Sequence, residues 1–191
     1  MKQTYGVLNH RILWFCAERN LSLGQQRHKD AFLFNLTSMV MAYFSFEGYL
    51  NYLGELIAPE VWKDERHFFT RKPYDGTLGK YHFLMKITIQ DPPPKTRRPH
   101  LTIIRLAELR NFVAHSRPEF GQRTARFSKK TGFPTEYRHE LSKRVSKTKA
   151  KHALEDVKKL LGELHDGAKQ YYGVPMGEPF GTTWSWAVAG L

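Results

Sequence analysis

The stretch from residue 31 to residue 58, AFLFNLTSMVMAYFSFEGYLNYLGELIA, constrains the fold more than any other part of the chain. It is too long for a strand and apolar on most faces, which predicts a central helix buried on nearly all sides. Asp30 stands where an N-cap belongs, and Pro59 closes the segment. Gly48 and Gly54 each lower helix propensity by about 1 kcal/mol relative to Ala, and we expect them to let another helix approach closely.

Three other segments also have helical spacing. A helix capped by Thr77 is expected through LGKYHFLMKITI, although its β-branched end is equally compatible with a strand. The stiff connector QDPPPKTRRP precedes a helix with the sequence LTIIRLAELRNFVAHS, which Pro118 stops. Residues 150–173 place apolar side chains on one stripe and end in Gly173, a suitable C′ residue. That stripe consists of Leu154, Val157, Leu160, Leu161 and Leu164.

These segments predict an all-α bundle of four principal helices in a single domain that spans residues 1–191. We expect its core over about residues 31–172. Residues 1–30 are compatible with a short first helix or with an irregular arm. Residues 119–148 predict an exposed basic loop, and the glycine- and proline-rich residues 173–191 predict an irregular tail.

Charge and cysteine content restrict the partners and the compartment. The net charge is +12, and residues 121–172 contain 13 lysines and arginines against 6 aspartates and glutamates. Such a clustered excess is typical of proteins that bind polyanions, although a solvated basic face without a ligand explains it too. Cys16 is the single cysteine, which excludes an internal disulfide and a cysteine-based zinc site. With neither a signal peptide nor a membrane span in the sequence, we expect a cytoplasmic protein.

Arg110, Asn111 and His115 form a dense polar cluster in the helix before Pro118. Asn111 and His115 are four residues apart and share a helical face, and the long side chain of Arg110 can reach the same cleft. A guanidinium, an amide and an imidazole can together bind a phosphodiester, and the imidazole can transfer a proton. Because RNA supplies its own nucleophile, the 2′-OH, cleavage to a cyclic phosphate would require no metal and no other cofactor. A capping or surface histidine remains the simpler interpretation.

At these residues the chain resembles the HEPN superfamily, whose ribonuclease members carry Arg, a polar residue, three variable residues and His. Here RNFVAH at residues 110–115 is a complete match. The preceding LAEL, the upstream SFEGYLNYLGE and the intervening GKYHFLMKI resemble the family's helices, so the resemblance covers about residues 31–172. One departure is Arg117, because some toxin members have at this position a tyrosine that a partner nucleotidyltransferase modifies.

The resemblance implies a HEPN-like bundle that dimerises, so that two motif helices face each other across a basic groove for single-stranded RNA. His115 would then be the general acid or base, Arg110 would bind the phosphate, and Asn111 would orient His115 or the ribose. Glu47 and Asn51 share a face of the long helix and would support this site. The sharper hypothesis is that Glu47 pairs with Arg110 and positions it, and a plain surface pair of Glu47 with Asn51 is the alternative.

Basic residues near and after the motif are candidate RNA contacts. Residues 123–151 combine lysines and arginines with interleaved aromatic side chains, which could bind a strand by charge and stacking. A loop kept soluble by its lysines explains the same pattern. The candidates are Arg117, Lys129, Lys130, Lys143 and Arg144.

Together these features predict a metal-independent endoribonuclease of the toxin–antitoxin or phage-defence kind, with RNA, a second copy of the chain and an antitoxin protein as partners. Two alternatives stay open. One is a HEPN-like module that binds RNA or serves as a scaffold without catalysis. The other is a basic helical nucleic-acid-binding protein unrelated to HEPN.

Overall fold

The computed structural model describes residues 8–26, 29–88, 96–115, 140–173 and 179–180, and within these ranges the chain forms eight helices and no strand. The predicted all-α class is therefore confirmed for this part of the chain. The helices are α1 Asn9–Gln26, α2 Ala31–Ile57, α3 Pro59–Lys63, α4 Glu65–Phe68, α5 Gly76–Ile87, α6 His100–Ala114, α7 Glu140–Arg144 and α8 Lys147–Tyr172.

Helix α2 is the centre of the bundle, as the length and apolarity of its sequence predict. It packs against α1, α3, α5, α6 and α8. The expected close approaches at its glycines are present. A Cβ at Gly54 would lie 2.0 Å from the Trp62 ring, and a Cβ at Gly48 would lie 3.3 Å from the Cβ of His10. Asp30 occupies the N-cap position, but its side chain makes no capping hydrogen bond.

The N-terminal segment forms an 18-residue helix, α1, rather than an irregular arm. Trp14 and Ala17 are buried on its inner side. Two serine hydroxyls of α2 donate to its backbone, Ser38 to the Ala17 carbonyl and Ser45 to the His10 carbonyl, each at 2.8 Å. Small side chains along this interface allow the two helices to lie close together. Because Trp14 and Ala17 are buried, the core extends beyond residues 31–172 and includes α1.

Helices α5 and α6 position the predicted site against α2. Helix α5 continues to Ile87, the first residue of the β-branched end that could have formed a strand; Thr88 is its C-cap residue, and residue 89 lies outside the described ranges. Thr77 does not cap α5, because the helix already begins at Gly76 and Asp75 occupies the N-cap position. Helix α6 ends at Ala114, two residues earlier than predicted, and His115 is its C-cap residue.

Helix α8 buries the predicted apolar stripe and ends at Gly173, whose φ of 59° is left-handed. At its other end the Ser146 hydroxyl accepts a hydrogen bond from the Lys149 backbone N–H. The predicted loop over 119–148 is helical in its last part, since α7 lies there, and residues 116–139 are outside the described ranges. Of the predicted tail only Gly173 and residues 179–180 are described.

None of the described helices combines the length and the apolarity needed to cross a membrane.

Candidate active site

The three motif residues lie at the C-terminal end of α6, at the surface. Asn111 and His115 are exposed, and 32% of the Arg110 side chain is accessible. The His115 backbone N–H donates to the Asn111 carbonyl at 3.0 Å, which keeps these two residues on adjacent turns. Positions 110 and 115 are about 140° apart around an ideal helix, so Arg110 starts on the side that faces α2. Within the described ranges no side chain hydrogen-bonds the His115 imidazole.

The Arg110 guanidinium is bound on two sides. Its Nη1 donates to Asn111 Oδ1 at 2.7 Å, and its Nη2 lies 3.8 Å from Glu47 Oε2. The guanidinium carbon is 5.6 Å from the centre of the Tyr43 ring, a distance suited to a cation–π contact. The hydrogen bond places the guanidinium beside Asn111, the residue that shares a helical face with His115. The predicted pair of Glu47 and Arg110 is therefore present in the structure.

Two hydroxyls that the sequence did not assign to the site lie behind Glu47, and one of them, that of Thr77, contacts the carboxylate directly. Thr77 Oγ1 donates to Glu47 Oε1 at 3.1 Å, and the Tyr43 hydroxyl lies 2.8 Å from the same Thr77 oxygen. Burial raises the pKa of Tyr43, and the nearby Glu47 carboxylate raises it further, while the Thr77 hydrogen bond and Arg110 oppose the change. Tyr43 was within reach of sequence reasoning, because it stands four residues before Glu47 on α2. Thr77 comes from another helix, α5, and its sequence position suggested only a helix cap, not a contact with Glu47.

Asn51, expected beside Glu47, belongs to a different cluster. Its Oδ1 accepts a hydrogen bond of 2.8 Å from the buried Lys80 ammonium, which also contacts Glu65 Oε1 at 3.2 Å. Lys80 further lies 5.8 Å from the centre of the Phe69 ring. The three polar side chains join α2, α4 and α5. Asn51 therefore serves this junction, and Glu47 alone of the two contacts Arg110.

Helix α7 brings one predicted RNA contact against the motif helix. The Arg144 guanidinium carbon lies 4.9 Å from the centre of the Phe112 ring, and its Nη1 is 4.0 Å from Glu108 Oε2. Lys143 forms a short ion pair with Glu140, and its carbonyl accepts a hydrogen bond from the Lys149 ammonium. The other candidate RNA contacts, Arg117, Lys129 and Lys130, are outside the described ranges.

Chemically, the end of α6 combines a partly exposed guanidinium, an amide and an exposed imidazole, with a second guanidinium beside Phe112. The cations can bind a phosphate, and the imidazole can accept or donate a proton at an attached oxygen. In the part of the chain that the structure describes, no group of three or more histidines, cysteines or carboxylates is placed to bind a metal ion.

No family model, curated protein or solved structure matches this chain.

Proposed function

We propose that this chain is a metal-independent endoribonuclease of HEPN type, which cleaves single-stranded RNA at a site shared by two copies of the chain. The observation that carries the proposal is the arrangement of Arg110, which Glu47 and Asn111 orient on the same helix end as the exposed His115. A solvated helix end would not require a carboxylate from α2 behind its arginine.

The reaction is an internal transfer of the phosphoryl group. The ribose 2′-oxygen attacks the adjacent phosphorus, the bond from phosphorus to the 5′-oxygen breaks, and the products are a 2′,3′-cyclic phosphate and a 5′-hydroxyl. An imidazole acting as base takes the proton of the 2′-OH, and an imidazole acting as acid gives a proton to the leaving 5′-oxygen. Arg110 neutralises the charge that grows on the non-bridging phosphate oxygens.

The need for two copies follows from these proton transfers. A single imidazole is either protonated or neutral at a given moment, so it cannot be base and acid in the same step. A second copy of α6 supplies the second imidazole, and the two exposed His115 side chains are accessible to such a partner. In this proposal the basic residues of α7 lead the strand to the shared site from both sides.

The biological setting in the proposal comes from the HEPN resemblance. The ribonuclease would act in the cytoplasm as a toxin or a phage-defence effector, and an antitoxin protein would restrain it. An enzyme that cleaves RNA without a consumed cofactor needs such restraint, because its substrate is always present.

A second candidate is a HEPN-like module that binds RNA or serves as a scaffold without cleavage. One observation favours it: Arg110 already contacts the Glu47 carboxylate and the Asn111 amide, which together reduce its capacity for a phosphate. The two candidates make the same binding prediction and differ in turnover.

The deciding experiment is incubation of single-stranded RNA with the protein in EDTA, with His115→Ala as the test variant. His67→Ala is the matched control, since His67 is an exposed histidine on α4 that pairs with Asp64. We expect cleavage by wild type and by the control, with cyclic phosphate ends, and a loss of about 10²- to 10⁴-fold for His115→Ala. Binding without cleavage by wild type would support the non-catalytic module, and equal cleavage by His115→Ala would refute the assigned role.

A further inference from the structure

A chain of hydroxyl groups connects helix α5 to the site arginine. The Tyr43 hydroxyl and Thr77 Oγ1 are 2.8 Å apart, and Thr77 Oγ1 is 3.1 Å from Glu47 Oε1. Glu47 Oε2, the other oxygen of the same carboxylate, is the atom that faces Arg110 at 3.8 Å. Tyr43 is buried, so this chain of contacts starts in the core and ends at the surface.

The direction of each hydrogen bond follows from counting protons. An ionised carboxylate only accepts, so Thr77 must use its single hydroxyl proton toward Glu47. The Thr77 oxygen is then an acceptor, and the Tyr43 hydroxyl is the group that donates to it. Each donation polarises the next one, which strengthens the chain as a whole.

The chain leaves the carboxylate with little freedom to rotate. Thr77 fixes one oxygen of Glu47, and the second oxygen is thereby directed at the guanidinium. The contact of 3.8 Å is longer than a hydrogen bond, so Glu47 orients the cation without fully engaging it. A guanidinium that is oriented and still partly exposed can take up a phosphate oxygen with little rearrangement.

We infer that Thr77, supported by Tyr43, is a positioning residue of the proposed site, which fixes Glu47 and through it the orientation of Arg110. The inference rests on the proposed ribonuclease function. It adds α5 to the site, although neither hydroxyl touches the place where RNA would react.

The first test compares Thr77→Val, which keeps the shape and removes the hydroxyl, with Thr77→Ser, which restores it. We expect Thr77→Val to lower kcat about tenfold to a hundredfold, with KM changed less than about twofold, and Thr77→Ser to stay near wild type. Thr88→Val is the matched control, since Thr88 is the C-cap residue of α5 and its hydroxyl donates to the Leu84 and Met85 carbonyls of that helix. We expect it to leave kcat unchanged.

The direction of the hydrogen bonds, from Tyr43 to Thr77 to Glu47, predicts a smaller effect for Tyr43→Phe than for Thr77→Val. Without the tyrosine hydroxyl, Thr77 still donates to Glu47, and the ring still faces the Arg110 guanidinium. We therefore expect a smaller loss of kcat than for Thr77→Val, about threefold. A larger loss for Tyr43→Phe than for Thr77→Val would contradict the assigned direction.

The second readout does not depend on cleavage. In the free protein, the NMR signal of the Arg110 side-chain Nε–H, assigned with Arg110→Lys, should shift or broaden in Thr77→Val and keep its position in Thr77→Ser. If wild type fails to cleave RNA, the proposed function fails while this signal still tests the connection from Thr77 to Arg110. An Arg110 signal and a kcat that are both unchanged in Thr77→Val would overturn the inference, and so would a Thr77→Ser variant that behaves like Thr77→Val.

Discussion

Each end of helix α6 combines an arginine, a carboxylate and a threonine, but the two arrangements differ. At the N-terminal end, Arg98 donates to both oxygens of Asp156, at 2.8 and 2.9 Å, and the Thr102 hydroxyl donates to the same carboxylate. At the C-terminal end, Arg110 makes one contact of 3.8 Å with Glu47, which accepts from Thr77. Each end therefore has an arginine, a carboxylate and a threonine.

Geometry and burial separate the roles of the two ends. The Asp156 side chain is 8% accessible and makes a two-pronged pair, which fixes α6 to α8. The Glu47 side chain is 26% accessible and the pair is loose, so the Arg110 guanidinium keeps capacity for another anion. The fully engaged Arg98 stabilises the fold, whereas the partly engaged Arg110 has donors left for a ligand.

The first prediction is that loss of the arginine at the C-terminal end of α6 affects cleavage much more than stability. Arg110→Ala should lower kcat/KM about 10²- to 10³-fold, because in the proposed reaction this cation stabilises the phosphate. Its free energy of unfolding should change by no more than about 1 kcal/mol, since the pair with Glu47 is loose and partly exposed and the cation–π contact with Tyr43 is weak. Arg105→Ala is the control, an exposed arginine on the same helix, and should keep both quantities. Strong destabilisation by Arg110→Ala would mean that both ends of α6 stabilise the fold, which would contradict the difference between them.

The next prediction concerns the N-terminal end. Asp156→Ala should lower the free energy of unfolding by about 2 kcal/mol, because it removes three hydrogen bonds to a buried charge, while Arg98, 43% accessible, can be hydrated. Cleavage per folded molecule should not change. Urea titration checks the first statement, with the exposed Asp166→Ala on the same helix as control. A selective loss of cleavage by Asp156→Ala, without loss of stability, would place the functional site at the N-terminal end of α6 and contradict this comparison.

Glu47→Gln tests whether the Glu47 charge orients Arg110, because it keeps the shape of the side chain and removes its charge. We expect kcat to fall about tenfold and KM to stay equal or to fall, since a negative charge beside the phosphate is lost while the orientation of Arg110 is weakened. Glu108→Gln removes a carboxylate on the other side of the motif, next to Arg144, and should affect only KM. Unchanged cleavage by Glu47→Gln would end the positioning role of Glu47.

The smallest effect is expected from the basic end of α7. Reversing the charge of Lys143 and Arg144 should weaken RNA binding and lower the slope of log K against log salt by about 0.7 for each lost phosphate contact. Reversal of Lys158 and Lys159, an exposed pair in the middle of α8, is the matched control. Equal salt slopes for the two double variants would exclude α7 as an RNA contact.

Local sequence patterns were enough to predict much of the fold. The apolarity of residues 31–58 and the stripe from Leu154 to Leu164 reflect burial that repeats with the helical period, which a single segment reveals. Gly54 and Gly173 are also interpretable locally, since one allows close packing and the other a left-handed backbone. The sequence does not decide between a helix and an arm for residues 1–30, because apolar residues are mixed there with Gly24 and the polar run QQRHK.

The candidate site was predictable only where its parts are close in sequence. Arg110, Asn111 and His115 lie within six consecutive residues. The HEPN resemblance is what suggests Glu47, and the structure contains its ion pair with Arg110. The hydrogen bond from Thr77 to Glu47 spans 30 residues and depends on how α5 crosses α2, which no local pattern encodes. The contact of Asn51 with Lys80 is not encoded locally either, because Lys80 lies on α5.

The proposed function requires two copies of the chain to contribute one imidazole each to a shared site. Co-expression of wild type with an equal amount of His115→Ala tests it most directly, because random pairing leaves about one quarter of the dimers with two intact imidazoles. We predict that RNA cleavage in EDTA, per total protein, falls to about one quarter of the wild-type value, while co-expression with His67→Ala leaves it unchanged. Activity at about one half of wild type would contradict the claim, because each protomer would then carry a complete site of its own.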